Sequence, residues 1–410
     1  MRALARIARL IWGDDVEPAL RPLLAVVLAG SLAASSAWTF MGIWAIKELG
    51  ASQAQLGVGY LVGALLSGAG GYFGGHLSDH VGRRPIILAG WAGQAVVPIG
   101  FLAAGHHVYL GIGLVASIGL VSSLGHGADA AMVADLVPPE RREQSYAAVR
   151  VAQNLGVTLG PPVGGALLLG GDWRTFYLGV AGLGAAAWVV AFRFLSQRGA
   201  FAADEPPARG SFGVIRRDRP FLVFMASSIL ASMTYVAYET LLPISLTTTH
   251  GYEPALWGFL LVVNPLMVTF VQLRLTRRVA HVPAALKLAV AMPLMGLPFL
   301  LLNVADAIPV VLLVLFLFVI GEMLWVPTSQ SVVAAFAPAD LRGAYMGAFT
   351  GSWAVAWALG PFSGLQVRDA FGDATMWTCV AALSLLAAMS GAAAVRGREV
   401  GAQPAVASAP

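Results

Sequence analysis

Pro138-Pro139-Glu140-Arg141-Arg142 is followed by Gly160-Pro161 and Gly164, and the pattern returns as Pro338-Ala339-Asp340-Leu341-Arg342, Gly360-Pro361 and Gly364. Every matched pair is offset by 200 residues. Leu56-Gly57 and Trp257-Gly258, offset by 201, extend the relation towards the start of each half. One match could be chance, but a run in register argues for internal duplication. Each Gly-Pro stands inside a long apolar run, so the duplicated unit is built from membrane helices.

The composition requires the same conclusion. Of 410 residues, 25 are Lys or Arg and 21 are Asp or Glu, or 11% charged, against roughly 25% in soluble domains. Hydrophobic residues make up 58% and mean hydropathy is +0.76. So few charges cannot cover a water-soluble surface of this size. Disordered chains, secreted disulfide scaffolds and nucleic-acid binders are thereby excluded. A net charge of only +4 underlies the pI near 9.4 and gives no basis for nucleic acid as a partner. The lone cysteine, Cys379, can form no disulfide within the chain and no cysteine metal centre.

A spanning helix needs about 20 apolar residues, whereas barrel strands alternate with period two. The apolar runs here are long and continuous, and they predict twelve helices. Their ranges are 20–47, 53–74, 85–104, 108–137, 142–169, 174–195, 220–249, 254–275, 284–303, 307–336, 341–367 and 374–395. With the N-terminus inside, 21 cations fall on the inner side and three, Lys47, Arg174 and Arg368, on the outer. The last, Arg150, lies within a span.

The expected architecture is all-α, with two pseudo-symmetric six-helix bundles at 20–195 and 220–395. A cytoplasmic N-terminal segment (1–19), linker (196–219) and tail (396–410) complete it. In the first segment, Arg2, Arg6 and Arg9 share one helical face opposite Ile7, Leu10 and Ile11, as in a helix lying on the inner leaflet. A basic tail that only sets topology is the open alternative. Parallel repeats of this kind place a transporter's site between its halves.

The segment after the second span reads Gly75-His76-Leu77-Ser78-Asp79-His80-Val81-Gly82-Arg83-Arg84. It resembles the signature loop of the major facilitator superfamily, with His80 where a permanently charged residue is usual. The substitution makes the charge at that position depend on pH near neutrality. Read as a loop, it needs Gly75 and Gly82 for tight turns, while Arg83 and Arg84 hold the inner surface. The resemblance implies that Gly75, Asp79, His80, Gly82, Arg83 and Arg84 lock the cytoplasmic side during alternating access. His76, Asp79 and His80 lack the further ligands a metal centre requires, and none is expected.

Within the fifth span, Gly156, Gly160, Pro161, Gly164 and Gly165 resemble the antiporter motif of drug:proton exchangers in the same superfamily. Arg150 followed by Asn154 resembles an arrangement in some bacterial drug exporters. In the second span Gly59, Gly63, Ser67, Gly71 and Gly75 form a small-residue ladder suited to close helix packing.

A charge at mid-bilayer costs roughly 2.5–3.5 kcal/mol or more, so such residues are functional candidates. Asp129 and Asp135 lie in the fourth span, Arg150 in the fifth, Glu239 in the seventh and Glu322 in the tenth. Asp129 and Arg150 are each about ten residues from the intervening turn and hence at one depth, which predicts a pair, with Asp135 as competitor. Glu322 has no cation at its depth and is the first candidate for proton coupling. Asp129, Arg150 and Glu239 are the others. Glu239, beside Tyr235 and Tyr238, is suited to attracting a cationic substrate. Trp325, Trp353 and Trp357 complete a candidate apolar cavity, and Trp44 and Trp257 are expected to anchor the outer interface.

These features predict a bacterial inner-membrane transporter, multi-pass and monomeric, with both termini cytoplasmic. No motif of an enzyme is present. No cofactor is expected beyond the proton gradient as energy source. The expected cargo is a small amphipathic or hydrophobic compound exported in exchange for protons, as in multidrug transporters. A sugar or other small metabolite, imported or exported on the same fold, is the alternative.

Overall fold

The computed structural model describes residues 17–138, 142–195, 215–305, 307–338 and 341–396. The expected N-terminal surface helix, most of the linker and the C-terminal tail lie outside these residues, as do the side chains of Asp79 and Asp135. No strand occurs among the described residues.

The chain forms α1 (Arg21–Lys47), α2 (Gln53–Val81), α3 (Arg83–Ala104), α4 (Val108–Leu136), α5 (Arg142–Leu167) and α6 (Trp173–Phe194). After the linker come α7 (Arg219–Thr248), α8 (Pro254–Leu260), α9 (Val263–Arg278), α10 (Ala284–Gly296), α11 (Ile308–Phe336), α12 (Arg342–Phe371) and α13 (Asp373–Val395). Local chemistry sets many of the boundaries. Ser52 and Gln55 form a reciprocal capping box at the start of α2. Asp172 accepts the Arg174 and Thr175 amides at α6, and Asp218 accepts that of Phe221 at α7.

Ten helical segments are long and apolar enough to cross a membrane among the described residues, counting α8 with α9 and α10 with its 3-10 extension Leu297–Asn303 as one each. α5 and α12, at 26 and 30 residues, match them in length but are less apolar. These are the two helices related by the offset of 200, and their Gly, Pro and polar residues lower their hydropathy. The set is consistent with the expected twelve.

The chain divides into two compact units, one of Met1–Pro206 with Gly251–Phe259, the other of Pro207–His250 with Leu260–Pro410. In the first unit α1 packs on α5 and α6, α3 on α6 and α4, and α2 on α4. In the second unit α7 packs on α12 and α13, α10 on α13 and α11, and α9 on α11. Span for span the pairing is the same, as duplication requires.

The glycines of α5 bring it close to α1. A Cβ at Gly160 would lie 2.6 Å from the Ser35 Cβ and 2.9 Å from the Ser36 amide nitrogen. Pro161 cannot donate to the Val157 carbonyl, and Ser35 Oγ donates to it instead at 3.1 Å. Ser36 Oγ donates to the Gly160 carbonyl at 2.9 Å. The equivalent Cβ at Gly360 would meet Val236 at an ordinary 3.5 Å. The duplicates should therefore respond differently. Gly160→Ala is expected to cost about 1–3 kcal/mol through overpacking. Gly360→Ala is expected to stay within about 0.5 kcal/mol of the parent. Thermal unfolding of the two variants in detergent checks this.

Several sequence expectations change. The signature segment is not a loop. α2 continues through Gly75 to Val81, and Gly82 alone, at φ 92° and ψ 159°, turns the chain into α3. Only glycine accepts that conformation readily, so Gly82→Ala should cost about 1–3 kcal/mol, measurable as a lowered melting temperature. The ladder of α2 also shifts. Gly59 and Gly63 meet α4, but further along Gly70 and Gly74 make the contact while Gly71 faces open space. A strict spacing of four drifts around a helix of 3.6 residues per turn, and the contact line follows the helix. Trp44 and Trp257 are not interface anchors but are 5% and 2% exposed, Trp44 packing on Phe101 and Tyr177 with centroids at 4.8 and 5.5 Å.

Candidate substrate and proton site

In the second unit a break in the eighth predicted span positions a polar group. Pro265 has no N–H for the Leu261 carbonyl and its ring crowds it, so the helix is interrupted between α8 and α9. Asn264 stands just beyond the break, and its Nδ2 donates to Glu322 Oε2 at 2.6 Å. Eight residues on, Gln272 Nε2 donates to the Met323 carbonyl at 3.0 Å. That carbonyl is the one Pro327 leaves without an intrahelical donor.

Around Glu322 the aromatic residues of α7, α11 and α12 meet. Tyr235 packs edge-on against Trp353 at 5.1 Å, and Trp353 against Trp325 at 5.4 Å. Tyr238 stacks on Phe318 at 4.3 Å. Glu239 lies one turn along α7 from Tyr235, and Tyr235, Glu239 and Glu322 stand close enough to interact electrostatically. Tyr238, Phe318 and Trp325 are buried, while Tyr235, Glu239, Asn264, Glu322 and Trp353 are half-buried. Among the described residues no ion pair involves either carboxyl. The hydrogen-bond partner of Glu322, Asn264, is a neutral donor.

The structure thus brings together Glu239, Glu322, Tyr235, Tyr238, Trp325 and Trp353, all singled out from sequence. Trp357 lies one turn further along α12, half-buried. Asn264, Gln272 and Phe318 were missed. Asn264-Pro265, a polar residue before a proline inside an apolar run, was the available signal.

Asp129 and Arg150 belong to the first unit and do not make the expected pair. Asp129 is 5% exposed on the buried side of α4, with its Oδ1 lacking a hydrogen-bond partner among the described residues, whereas Arg150 is exposed on α5. Counting residues from the turn gave their depth but not which side of each helix they occupy.

In the signature segment, Arg83 Nη1 donates to Ser78 Oγ at 2.7 Å. Arg84 donates to the Phe192 carbonyl in the last turn of α6 and lies 5.3 Å from the centroid of the Phe192 ring. His80 Nδ1 is 3.0 Å from the His76 carbonyl. Arg84 therefore ties the start of α3 to the end of α6. No group of three or more potential metal ligands occurs among the described residues.

The Major Facilitator Superfamily model matches residues 23–361, and the chain belongs to that superfamily. It is similar to multidrug resistance protein MdtH of Cronobacter sakazakii, at 26% identity over 79% of this chain and 80% of the relative. It is also similar to a Na(+), Li(+), K(+)/H(+) antiporter of Planococcus maritimus, at 23% identity over 79% and 83%. Among solved structures, the nucleoside transporter NupG aligns with TM-score 0.75 at 13% identity, covering 92% of this chain and 99% of that one. A POT family transporter bound to a thioalcohol-conjugated peptide aligns with TM-score 0.73 at 15% identity, covering 92% and 96%. The chain is accordingly a multi-pass membrane transporter and not an enzyme.

Proposed function

We propose that this chain is a proton-coupled exporter of small amphipathic or hydrophobic compounds in the bacterial inner membrane. It works by alternating access as a monomer with both termini cytoplasmic, its six-helix halves joined by a cytoplasmic linker. The supporting observation is the pair of carboxyls, Glu239 and Glu322, set among aromatic rings with no ion pair to either among the described residues. A carboxylate taken out of water without a cation is costly, so exchanging a proton for cargo changes the energy of the site. Differential binding of proton and cargo then biases the transporter between its two orientations. Tyr235, Tyr238, Trp325, Trp353 and Trp357 supply apolar contact for the cargo. The segment from Gly75 to Arg84, with Asp79 and His80, serves as the cytoplasmic lock. Asp129 and Arg150 are secondary candidates for coupling, and Gly156, Gly160, Pro161, Gly164 and Gly165 act as the antiporter-type packing face.

The oxygen atoms of Glu239, Glu322 and Asn264, with the cation-exchanging relative, favour one second reading, in which an alkali cation is the exchanged species. Transport into everted vesicles with a panel of organic compounds, and separately with sodium or potassium, separates the two. Gradient-driven accumulation of an organic compound supports export. Accumulation of the alkali ion alone supports the second reading. Gradient-independent transport removes the coupling, and movement in the opposite direction indicates an importer.

A further inference from the structure

The facing sides of α7 and α11 carry a line of buried polar groups, of which the site described above uses only the ring of Trp325. Phe221 and Phe224 of α7 meet Phe336 of α11 at 5.8 and 5.9 Å at the end where α7 begins. Tyr235 and Tyr238 meet Phe318 at 5.7 and 4.3 Å further along. The helices are antiparallel between these two clamps. Ser228 and Ser232 lie between them on α7, Trp325 and Ser329 between them on α11. The spacings 221, 224, 228, 232, 235 on α7 and 318, 322, 325, 329, 336 on α11 each trace one helical face.

These four residues share an unusual property. Each is 0% exposed, and Ser228 Oγ, Ser232 Oγ, Trp325 Nε1 and Ser329 Oγ have no hydrogen-bond partner among the described residues. Their neighbours on other faces are satisfied: Ser227 Oγ donates to the Ala387 carbonyl at 2.7 Å and Thr234 Oγ1 to that of Leu230 at 3.2 Å. A serine in a helix ordinarily bonds back to its own preceding turn, and these do not. Buried polar groups left by the protein in this way are the sites at which ordered water is held.

We propose that the seam between α7 and α11 holds a file of ordered water that exchanges protons with Glu322 and runs from it as far as the aromatic clamp at the Asp218 end of the unit. The proposal rests on the proton coupling of Glu322 suggested above. Glu322 occupies the same face of α11 as Trp325 and Ser329. At the far end Phe221, Phe224 and Phe336 close the seam. Beyond them Tyr345 Oη donates to Asp218 Oδ2 at 3.2 Å, with the Phe221 and Tyr345 rings 4.4 Å apart. The titratable groups at the seam are thus Glu322, Glu239, Tyr235 and Tyr238 at one end and Asp218 and Tyr345 at the other. Serine hydroxyls both donate and accept, so they can pass a proton along the file. The indole N–H only donates, so it fixes a water molecule without relaying. In each step a carboxyl or hydronium O–H bond breaks as one forms on the next oxygen, and one proton moves with no net change in the file. The aromatic clamp sets where the file ends.

Hydroxyl-radical labelling by X-ray radiolysis of the purified full chain tests the water directly. Trp377 is as buried as Trp325, but its Nε1 is bonded to Ser245 and Asp373. Trp325 should be labelled several-fold faster than Trp377, and equal rates overturn the proposal. Transport tests the route. The Ser232→Ala, Ser329→Ala double variant should slow gradient-driven transport about tenfold while substrate counterflow, which needs no net proton movement, is unchanged. An unchanged gradient-driven rate, or equal loss of both activities, overturns it. Gradient-independent transport by the parent protein defeats the coupling and the route together, while the labelling result still decides whether the seam holds water.

Discussion

Glu322→Gln is expected to reduce gradient-driven efflux by at least about tenfold, about 1.4 kcal/mol in the coupled step, while substrate counterflow survives. The amide keeps the size of the side chain, and its oxygen can still accept from Asn264 Nδ2, which lies 2.6 Å from the carboxylate in the parent. What the substitution removes is the exchangeable proton. A structural role for Glu322 predicts loss of both activities or neither. Glu239→Gln gives a useful contrast. It keeps the size of the side chain but removes a negative charge beside the rings, so it should weaken transport of cationic compounds more than neutral ones. Transport of one cationic and one neutral compound by both variants measures the division of roles.

The largest loss of stability is expected from Arg368→Ala, at about 3–5 kcal/mol. Arg368 is 5% exposed and forms a 2.5 Å ion pair with Asp373 across the turn from α12 to α13. Its Nη2 also donates to Thr248 and Thr249 at the end of α7, at 2.7 and 2.8 Å. Asp373 accepts from Ser245 at 2.6 Å and from Trp377 Nε1 at 3.1 Å. Three helices of the second unit therefore end on one charge pair. Removing the arginine leaves a largely buried carboxylate without its cation, whereas replacing both partners by apolar residues removes the desolvation cost with the attraction. The Arg368→Met, Asp373→Leu double variant should therefore recover most of the loss. Thermal unfolding in detergent of single and double variants gives the coupling directly. A single variant as stable as the parent contradicts the account of this turn.

The sequence made the duplication legible because helix pairing follows helix order. Once six spans repeat, the contacts of α1, α5 and α6 reappear as those of α7, α12 and α13. The acidic and aromatic residues that cluster in the candidate site were legible too, because a carboxyl in an apolar run has few structural uses. Irregular backbone was not. Hydropathy averages over a window and passes smoothly across 254–275, although Pro265 breaks the helix and Asn264 uses the break. The same averaging placed Gly75 in a loop, when only Gly82 leaves the helical conformation. Rotation about the helix axis was the second blind spot. Asp129 and Arg150 lie equally far along the chain from the intervening turn but face different surroundings, and the ladder of α2 reaches α4 through Gly70 and Gly74. Capping residues and prolines carry some of this information, but which neighbour supplies the missing hydrogen bond is decided by tertiary packing, as with Ser35 on Val157 and Gln272 on Met323.

The central claim is that a proton exchanged at Glu322 drives export of an organic compound. Everted membrane vesicles containing the parent protein or Glu322→Gln, given the same imposed proton gradient and the same labelled amphipathic compound, test it most directly. The expected result is accumulation by the parent that a protonophore collapses, none above background by the variant, and equal counterflow by both. Accumulation by the parent that persists after the gradient is collapsed, or undiminished gradient-driven accumulation by the variant, would contradict it.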